Sequence, residues 1–392
     1  MDKKYRILLV HNRYQIQGGE DTVFENEKRM LEQNGHTVFT YIRGNEEIRG
    51  MKVLQKLFLP FTAIFSGKTY REVKRLIREE KIDIVHVHNT LTLVSPSVFY
   101  AAFSEKVPVI QTVHNFRMVC PNALFYRDGH NCEECVEKGL QTAIRHKCYR
   151  NSTIQTLISV MILKIHRILG TYRKVYFICL TEFSRKKLLQ KGGQKIFDAK
   201  KVFVKPNFVD IDRKIIPFAQ RKPQFIYVGR PETIKGMKIL LETWKNVPEY
   251  DLIICGVSEE LEDFKRFAKE QNLDNVRFWG KVENDKVKEL LAQSMAMIHP
   301  TQLYEGFPMT IAESLACGTP VIGSDIGNVG NLVKDGVTGF RFRHDSPKDL
   351  YDKIHALTDM TESSVRVYRE HYTQRANYER LMEIYGKLLK KE

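Results

Sequence analysis

The chain has 392 residues, of which 43% are hydrophobic and 28% charged, so it is long enough for two domains and too apolar to remain disordered. Its formal net charge of +15 is one-sided: residues 1–200 hold 33 Lys and Arg against 19 Asp and Glu, whereas residues 201–392 hold 29 against 28. A basic half of this kind suits a polyanion, either nucleic acid or an anionic membrane face, and is also common on a solvated surface.

In the first half, apolar runs rich in β-formers alternate with helical patterns. The predicted strands cover 5–10, 36–42, 83–88, 107–114 and 174–180. The predicted helical regions cover 24–33, 52–78 and 151–174, with a basic helix at 69–80 directly before the third strand. Strands separated by helices predict a parallel sheet covered on both faces. The opening residues lack a small-residue cleavage site, and no apolar stretch reaches the ~18–20 residues that cross a bilayer. The sequence therefore predicts a cytoplasmic protein without a signal peptide or spanning helix.

After a proline-containing linker at 205–222, the alternation begins again. The predicted strands cover 225–229, 251–256, 276–280, 295–300 and 319–324, and the predicted helices cover 237–244, 260–271, 285–293, 310–316 and 376–389. The fold class is therefore α/β, with two Rossmann-like, doubly wound units. Because open parallel sheets bind ligands at the carboxyl ends of their strands, we expect the active site in a cleft where the two units face each other.

Two predicted loops at strand ends carry residues suited to phosphate. Gly18 and Gly19 lie between the first strand and its helix, where paired glycines let the backbone approach an anion; a plain tight turn is the alternative. Arg230 and Lys235 lie in GRPETIKG, after the first strand of the second half. Two cations there can neutralise a diphosphate, and an ordinary basic turn is the alternative.

The most informative segment is EGFPMTIAESLACGTPVI at 305–322. Glu305 lies in a turn and Glu313 in the following predicted helix, and both carboxylates can accept hydrogen bonds from vicinal hydroxyls. The residues between them are too apolar for a solvated turn. The amides that can bind an anion near the start of this helix are those of Gly306, Phe307, Met309 and Thr310. The segment thus predicts a site for a sugar, a phosphate and a ribose.

Four of the seven cysteines are concentrated in one loop-rich stretch of the sequence. They are Cys120, Cys132, Cys135 and Cys148, spaced C-x11-C-x2-C-x12-C. Two such pairs fit either a tetrahedral structural zinc site or four thiols that are reduced or transiently oxidised. The other three cysteines lie in apolar elements and are expected to be buried, inert thiols.

These motifs, together with PNFVD at 206–210, resemble the retaining glycosyltransferases of family 4, which have the two-domain glycosyltransferase B fold. The resemblance spans nearly the whole chain and is most specific in the C-terminal half. It implies an acceptor-binding domain of residues 1–208 and 373–392, with a cysteine-rich insertion at 115–150, since the last helix crosses back in this fold. Residues 209–372 would then form the domain that binds the nucleotide-sugar donor.

The resemblance also implies roles for single residues. Glu305 would contact the donor sugar near its reacting end, and Glu313 would hold the ribose hydroxyls. His114 matches the family histidine that hydrogen-bonds the donor sugar. One departure is Gly330-Asn331, where the family often has Pro-Glu, and it leaves the identity of the donor open.

The donor diphosphate would be bound by Arg230 and Lys235, assisted by Gly18 and Gly19. Because these cations and a helix N-terminus can neutralise the leaving group, we expect turnover without a catalytic metal. The Asp210-Ile211-Asp212 triplet is typical of metal-dependent glycosyltransferases, but it lies in the linker rather than at a strand end, and we interpret it as incidental.

The expected function is that of a retaining glycosyltransferase acting on a nucleotide-diphosphate sugar and a glycan or lipid-linked acceptor, in bacterial cell-surface polysaccharide assembly. One alternative is a basic, zinc-containing nucleic-acid-binding protein. It is disfavoured because the sequence has no aromatic-interleaved basic motif or recognition helix, so no nucleic-acid partner is expected. A nucleotide-sugar epimerase or phosphorylase of the same fold would need its own acid–base pair or lysine-bound cofactor, and neither is evident.

The predicted helices at 52–78 and 151–174 combine basic side chains with apolar ones. This pattern serves either reversible attachment to anionic lipid or ordinary core packing. If it serves attachment, the enzyme acts as a peripheral protein at the inner face of the cell membrane.

Overall fold

The computed structural model describes residues 3–15 and 18–390. The chain divides into two compact units. The first runs to Leu124, resumes over Glu133–Pro206 and includes the residues from Asn377 onward; the second comprises Phe125–Cys132 and Asn207–Ala376. No helix in the described part of the chain is both long and apolar enough to cross a bilayer.

The first unit is built on a six-stranded parallel sheet. The strands of the first half are β1 (Arg6–Arg13), β2 (Thr37–Gly44), β3 (Ile84–Val87), β4 (Val109–Val113), the short hairpin β5 (Tyr126–Arg127) and β6 (His130–Asn131), β7 (Tyr176–Cys179) and β8 (Val202–Val204). The sheet order is β2-β1-β3-β4-β7-β8. Its central strands are continuous apolar runs, such as the fully buried residues 7–10, because both faces of a parallel sheet are covered.

Helices and short turns connect these strands. They are α1 (Gly19–Gln33), α2 (Val53–Ile64), α3 (Gly67–Glu79), α4 (Ser97–Ser104), α5 (Glu134–Glu137), α6 (Gln141–Arg145), α7 (Thr153–Ile168), α8 (Thr171–Lys174), α9 (Glu182–Leu189) and α10 (Gly193–Ile196), with 3-10 turns at Asn45–Ile48, Phe116–Met118 and Ala199–Lys201.

Two helices predicted as single elements are each divided. The predicted helix 52–78 ends at Ile64 and restarts at Gly67, because the Ser66 side chain accepts a hydrogen bond from the Thr69 amide at 3.2 Å and caps the new helix. The predicted helix 151–174 is interrupted at Gly170, whose φ of 63° lies in the left-handed region that terminates helices.

The second unit repeats the architecture. Its strands are β9 (Lys222–Val228), β10 (Asp251–Cys255), β11 (Val276–Gly280), β12 (Ser294–His299), β13 (Val321–Ser324) and β14 (Gly339–Phe342), and all pair in parallel in the order β11-β10-β9-β12-β13-β14. Its helices are α11 (Met237–Trp244), α12 (Leu261–Glu270), α13 (Asn284–Gln293), α14 (Met309–Ala316), α15 (Gly327–Leu332), α16 (Pro347–His355) and α17 (Thr361–His371), with 3-10 turns at Phe218–Gln220 and Thr233–Lys235. The predicted α/β class with two doubly wound, Rossmann-like domains is confirmed.

The predicted cysteine-rich insertion at 115–150 does not stay within one unit. Residues 125–132, which form the β5–β6 hairpin, group with the second unit. Asn131 donates a hydrogen bond to the Gln302 carbonyl at 3.0 Å, and the Phe125 ring lies edge-on to Tyr304. These contacts group the hairpin with the second unit, and the domain boundaries predicted from the sequence stay a prediction.

The last helix, α18 (Gln374–Leu389), is held to the first unit by a buried polar network. The Tyr385 hydroxyl lies 2.7 Å from His86 Nδ1, and Lys205 Nζ donates to Glu27 Oε2 at 2.8 Å and to Asn377 Oδ1 at 3.0 Å. Lys205 and Glu27 are both 1% exposed, and each neutralises the other's charge, which would be costly to bury without a partner. Helix α18 is therefore an integral part of this core.

Candidate active site

In the second unit, a loop after β9 carries the predicted cations. Gly236 lies between the Thr233–Lys235 turn and α11 with a φ of 82°, and a Cβ at this position would approach the Pro300 carbonyl oxygen to 1.7 Å. Only glycine allows this contact with the end of β12. As a result, Lys235 reaches Glu305, and its Nζ donates to Oε1 at 2.7 Å.

Glu305 is enclosed by polar groups on one side. Thr301 also donates to its Oε1, at 3.0 Å, and His299 Nε2 lies 3.8 Å from the same oxygen. Burial raises the pKa of this carboxyl, but the charge of Lys235, helped by the nearby His299 imidazole, outweighs the effect of burial and holds the pKa well below its usual value. Glu305 is therefore ionised at neutral pH, and within the described residues its Oε2 has no hydrogen-bond partner.

The backbone around Glu305 is fixed by Asn328. Its amide nitrogen donates to the carbonyl of Glu305 and, at 2.6 Å, to that of Gly306. Sequence reasoning missed Asn328, Thr301 and His299. Asn328 lies just before the Gly330-Asn331 pair that departs from the family pattern. This departure was the sequence feature that could have drawn attention to Asn328.

The residues predicted to bind an anion lie at the start of α14. Pro308 precedes the helix without a side-chain cap, so the first-turn amides of Met309 and Thr310 keep no intrahelical partner. Phe307 is buried, consistent with the apolar character of this turn, and Gly306 is partly exposed.

Glu313 lies one turn further along the same helix. Burial raises the pKa of its carboxyl, and the charge of Lys288 offsets only part of this effect. Among the residues that the structure describes, none hydrogen-bonds to or pairs with this side chain. The carboxylate is thus available to two neighbouring hydroxyls.

Arg230 is not gathered into this cluster. Its guanidinium is 67% exposed and pairs with Glu232 at 2.9 Å, whereas Lys235 is 22% exposed and held by Glu305. The two predicted diphosphate ligands therefore differ: Lys235 is held in place by Glu305, whereas Arg230 is exposed and paired with Glu232.

In the first unit, Gly18 and Gly19 form the start of α1. Gly18 is the N-cap and its amide donates to Asp21 Oδ2 at 2.9 Å. A Cβ at either glycine would meet none of the residues that the structure describes within 4 Å, so contacts with those residues do not require glycine here.

His114 follows β4 and is 9% exposed. Its Nε2 lies 3.0 Å from His88 Nδ1, and His88 Nε2 lies 3.2 Å from Glu27 Oε1. Burial, with the neighbouring charges of His88 and His11, holds the pKa of His114 well below its usual value. His114 is therefore a neutral imidazole oriented by a buried neighbour.

Glu20 is a further candidate that sequence reasoning missed. It lines a cavity of about 60 Å³ together with His114, Asn115 and Arg117, and Asn115 Nδ2 donates to its Oε1 at 2.7 Å. Burial raises the pKa of this carboxyl to about 7, against the lowering effects of the Asn115 hydrogen bond and the Arg117 charge. The sequence signal was its position directly after Gly18 and Gly19.

The four cysteines of the predicted zinc site do not converge on one point. Within 3–15 and 18–390, the only three metal-ligating side chains brought together are Glu27, His86 and His88, and these are already engaged in the buried network described above. The thiol of Cys120 lies 2.9 Å from Asn122 Oδ1. Cys135 and Cys148 pack against an apolar cluster of α6 and α7. This arrangement gives no support to zinc at the cysteines, which stays a prediction.

Comparison with known proteins agrees with this geometry. A model described as Glycosyltransferase Family 4 matches residues 17–213, and one described as Glycosyl transferases group 1 matches residues 208–374. An uncharacterised glycosyltransferase of Methanocaldococcus jannaschii is 28% identical over 137 residues, which are 35% of this chain and only 38% of that relative. The Escherichia coli UDP-Gal:alpha-D-GlcNAc-diphosphoundecaprenol alpha-1,3-galactosyltransferase is 26% identical, over 76% of this chain and 71% of that protein.

A solved structure shares the fold. Anabaena HepE in complex with UDP-glucose has a TM-score of 0.66 and 17% identity, over 98% of this chain and 100% of that one. Together with the family model that matches half of the chain, this likeness shows that the protein belongs to glycosyltransferase family 4 and has the two-domain glycosyltransferase B fold.

Proposed function

We propose that this protein is a retaining glycosyltransferase that moves a sugar from a nucleotide-diphosphate sugar to a lipid-linked or glycan acceptor. The observation that carries the proposal is the site around α14: an ionised Glu305 paired with Lys235, an uncapped helix N-terminus, and a Glu313 carboxylate that none of the described residues contacts as a partner. A nucleotide sugar offers the complementary groups, namely hydroxyls for carboxylates and phosphates for the cation and amides.

The donor-binding roles follow from these positions. The carboxylate of Glu313 accepts hydrogen bonds from the ribose hydroxyls, and Glu305 Oε2 accepts one from the sugar. HepE, which shares the fold, was solved with UDP-glucose, and this supports a uridine or similar nucleotide sugar as donor. The roles of Gly18, Gly19 and His114 toward the donor stay predictions.

Breaking the bond between the anomeric carbon and the diphosphate moves negative charge onto the leaving group. Lys235 is already oriented by Glu305, so it can stabilise this charge with little rearrangement, and the α14 amides add their dipoles. Arg230 is exposed and must reorient to contribute. Because the cations are built into the chain, we expect turnover to persist in EDTA.

The acceptor side is supported by the E. coli relative, whose name gives a diphosphoundecaprenol-linked sugar as its acceptor. By this analogy the protein transfers a sugar to a lipid-linked intermediate of cell-surface polysaccharide assembly. Such a lipid lies in a membrane, so the enzyme works as a peripheral protein at the membrane surface.

Calorimetric titration with a nucleoside diphosphate tests the donor site. The Glu313→Gln variant keeps the size of the side chain but loses its charge, so we expect affinity to fall by about tenfold or more, as for a lost charge-assisted hydrogen bond. Glu370→Gln is the matched control, since this glutamate lies on α17 of the same unit and is 56% exposed.

Glu305→Gln separates sugar contact from nucleotide binding. We expect it to reduce transfer from a panel of nucleotide sugars far more than it reduces nucleoside diphosphate affinity. Equal affinity in Glu313→Gln and the wild type would remove the ribose assignment, and full transfer by Glu305→Gln would remove the sugar contact.

A further inference from the structure

Helices α2 and α7 of the first unit pack against each other and leave apolar side chains in solvent. We call this surface the α2–α7 face. Its members include Leu54, Leu57, Phe58 and Phe61 of α2 and Ile154 and Leu157 of α7, with exposed fractions between 44% and 71%. Ala63 is the only fully buried residue of α2. Contiguous apolar surface of this kind marks a binding site for a partner, a membrane or a ligand.

The charge of the α2–α7 face has one sign. Neither helix contains Asp or Glu, and the cations Lys52, Lys56, Arg150 and Lys164 are exposed on or beside them. None of these four cations forms an ion pair with a carboxylate of the described chain. Unneutralised cations beside apolar side chains are complementary to an anionic lipid surface, where each contributes about 1 kcal/mol.

A groove of about 280 Å³ lies between the two helices. Its apolar lining includes Leu59, Pro60, Ala63, Ile158 and Ile162. This volume is near the ~300 Å³ lower limit of small-ligand pockets.

The same groove is also lined by two exposed cations, Lys56 and Arg150. An apolar channel with two cations at its edge matches a molecule in which a hydrocarbon chain is joined to a phosphate. The guanidinium can bind phosphate oxygens with two parallel hydrogen bonds, and the ammonium adds a point charge.

We propose that the α2–α7 groove binds the hydrocarbon chain of a lipid phosphate, with the phosphate at Lys56 and Arg150, while the α2–α7 face rests on an anionic bilayer. This assignment rests on the proposed function, in which the acceptor is a sugar linked to a lipid through phosphate. It defines the acceptor class as a membrane-embedded lipid carrying phosphate, rather than a free glycan.

Sedimentation of the full chain with vesicles tests the membrane contact. We expect binding to vesicles of phosphatidylcholine with phosphatidylglycerol, little binding to phosphatidylcholine alone, and weaker binding as salt increases. Lys52→Glu with Lys56→Glu should lower partitioning by about tenfold or more. The matched control is Lys348→Glu with Lys286→Glu, a pair of exposed cations in the second unit.

The apolar contribution is tested with Phe58→Ser and Phe61→Ser together. Both side chains are more than half exposed, so the fold should tolerate the change, and circular dichroism should be unaltered. Trp279→Ser, an exposed aromatic of β11, is the control. Binding that is indifferent to lipid charge, or a dimer that the Phe58 and Phe61 changes dissociate, would overturn the proposal.

The groove itself is tested by calorimetry with decyl phosphate, decanol and inorganic phosphate. We expect decyl phosphate to bind at least tenfold more tightly than either of the others, and Lys56→Gln with Arg150→Gln to remove that advantage. Equal binding of decyl phosphate by this variant would overturn the groove assignment. Nucleoside diphosphate titration reports on the proposed function independently, so the failure of either can be recognised separately.

Discussion

Glu20 lies in a small cavity beside the Asn115 amide and the Arg117 guanidinium. Opposing effects set the pKa of its carboxyl. Burial dominates and raises the pKa to about 7 from an ordinary value of 4.5. The folded protein therefore binds this proton more tightly than the unfolded chain. Its contribution to stability is complete below pH 4.5 and is lost as the pH rises through about 7.

Glu20→Gln should remove this pH dependence. Relative to the wild type, we expect the variant to gain about 1–3 kcal/mol of unfolding free energy between pH 5 and pH 8, measured by urea denaturation. Glu79→Gln, at an exposed glutamate of α3, serves as the control. A difference between variant and wild type that stays constant across this range would contradict the raised pKa.

Single residues also show what the sequence could and could not predict about the site. Glu305, Glu313 and Lys235 stand in recognisable motifs, and their residue types were sufficient to suggest a sugar-phosphate site. Asn328 was missed because its hydrogen bond to the Glu305 carbonyl spans 23 residues of sequence, which no local pattern encodes. Thr301 lies only 4 residues from Glu305, but its residue type alone does not predict a hydrogen bond to a carboxylate.

At the scale of elements, the boundaries depend on backbone conformation. The helix 237–244 was predicted with its observed ends because Gly236 precedes it, whereas the break between α2 and α3 depends on one serine cap. Strands β8 and β14 were not predicted, because β8 has only three residues and the sequence of β14, GFRF, interrupts its apolar residues with glycine and arginine.

Two glycines at helix positions should respond to alanine in opposite directions. Gly236→Ala should destabilise the protein by at least about 2 kcal/mol, because φ is 82° and the new Cβ meets the Pro300 carbonyl. Gly386→Ala should stabilise it by about 0.5–1 kcal/mol, because the residue lies inside α18 and a new Cβ there would meet none of the described residues within 4 Å. Urea unfolding of both variants measures this, and changes of the same sign would refute the backbone explanation.

At the scale of the molecule, the first unit depends on α18. The helix buries Leu381, Ile384, Tyr385 and Leu388, and its Tyr385 hydroxyl reaches His86. Two doubly wound units were predicted correctly because strand and helix periods alternate clearly along the sequence. The hairpin at 125–132 could not be assigned, since its grouping depends on contacts with residues such as Gln302, far along the chain.

Deletion of residues 377–392 should therefore unfold the first unit and spare the second. By hydrogen exchange, we expect the amides of β1, β3 and β4 to lose protection while those of β9 and β12 keep it. Tyr385→Phe is the mild comparison, removing only the hydroxyl, and should cost about 1–3 kcal/mol because His86 Nδ1 loses its buried partner. Unchanged protection of β1 and β4 in the deletion variant would refute the dependence.

The position of Asn377 beside Lys205 has a consequence for biosynthesis. A ribosome that has finished Pro206 must still make 170 residues before Asn377 is added. At about 5–20 residues per second, this takes roughly 10–30 s. Throughout that interval the Glu27–Lys205 pair lacks its amide partner and the sheet lacks its last helix. The half of the protein that is synthesised first is thus the last to be completed. During this delay the first unit exposes apolar surface, and this is where we expect chaperones to bind.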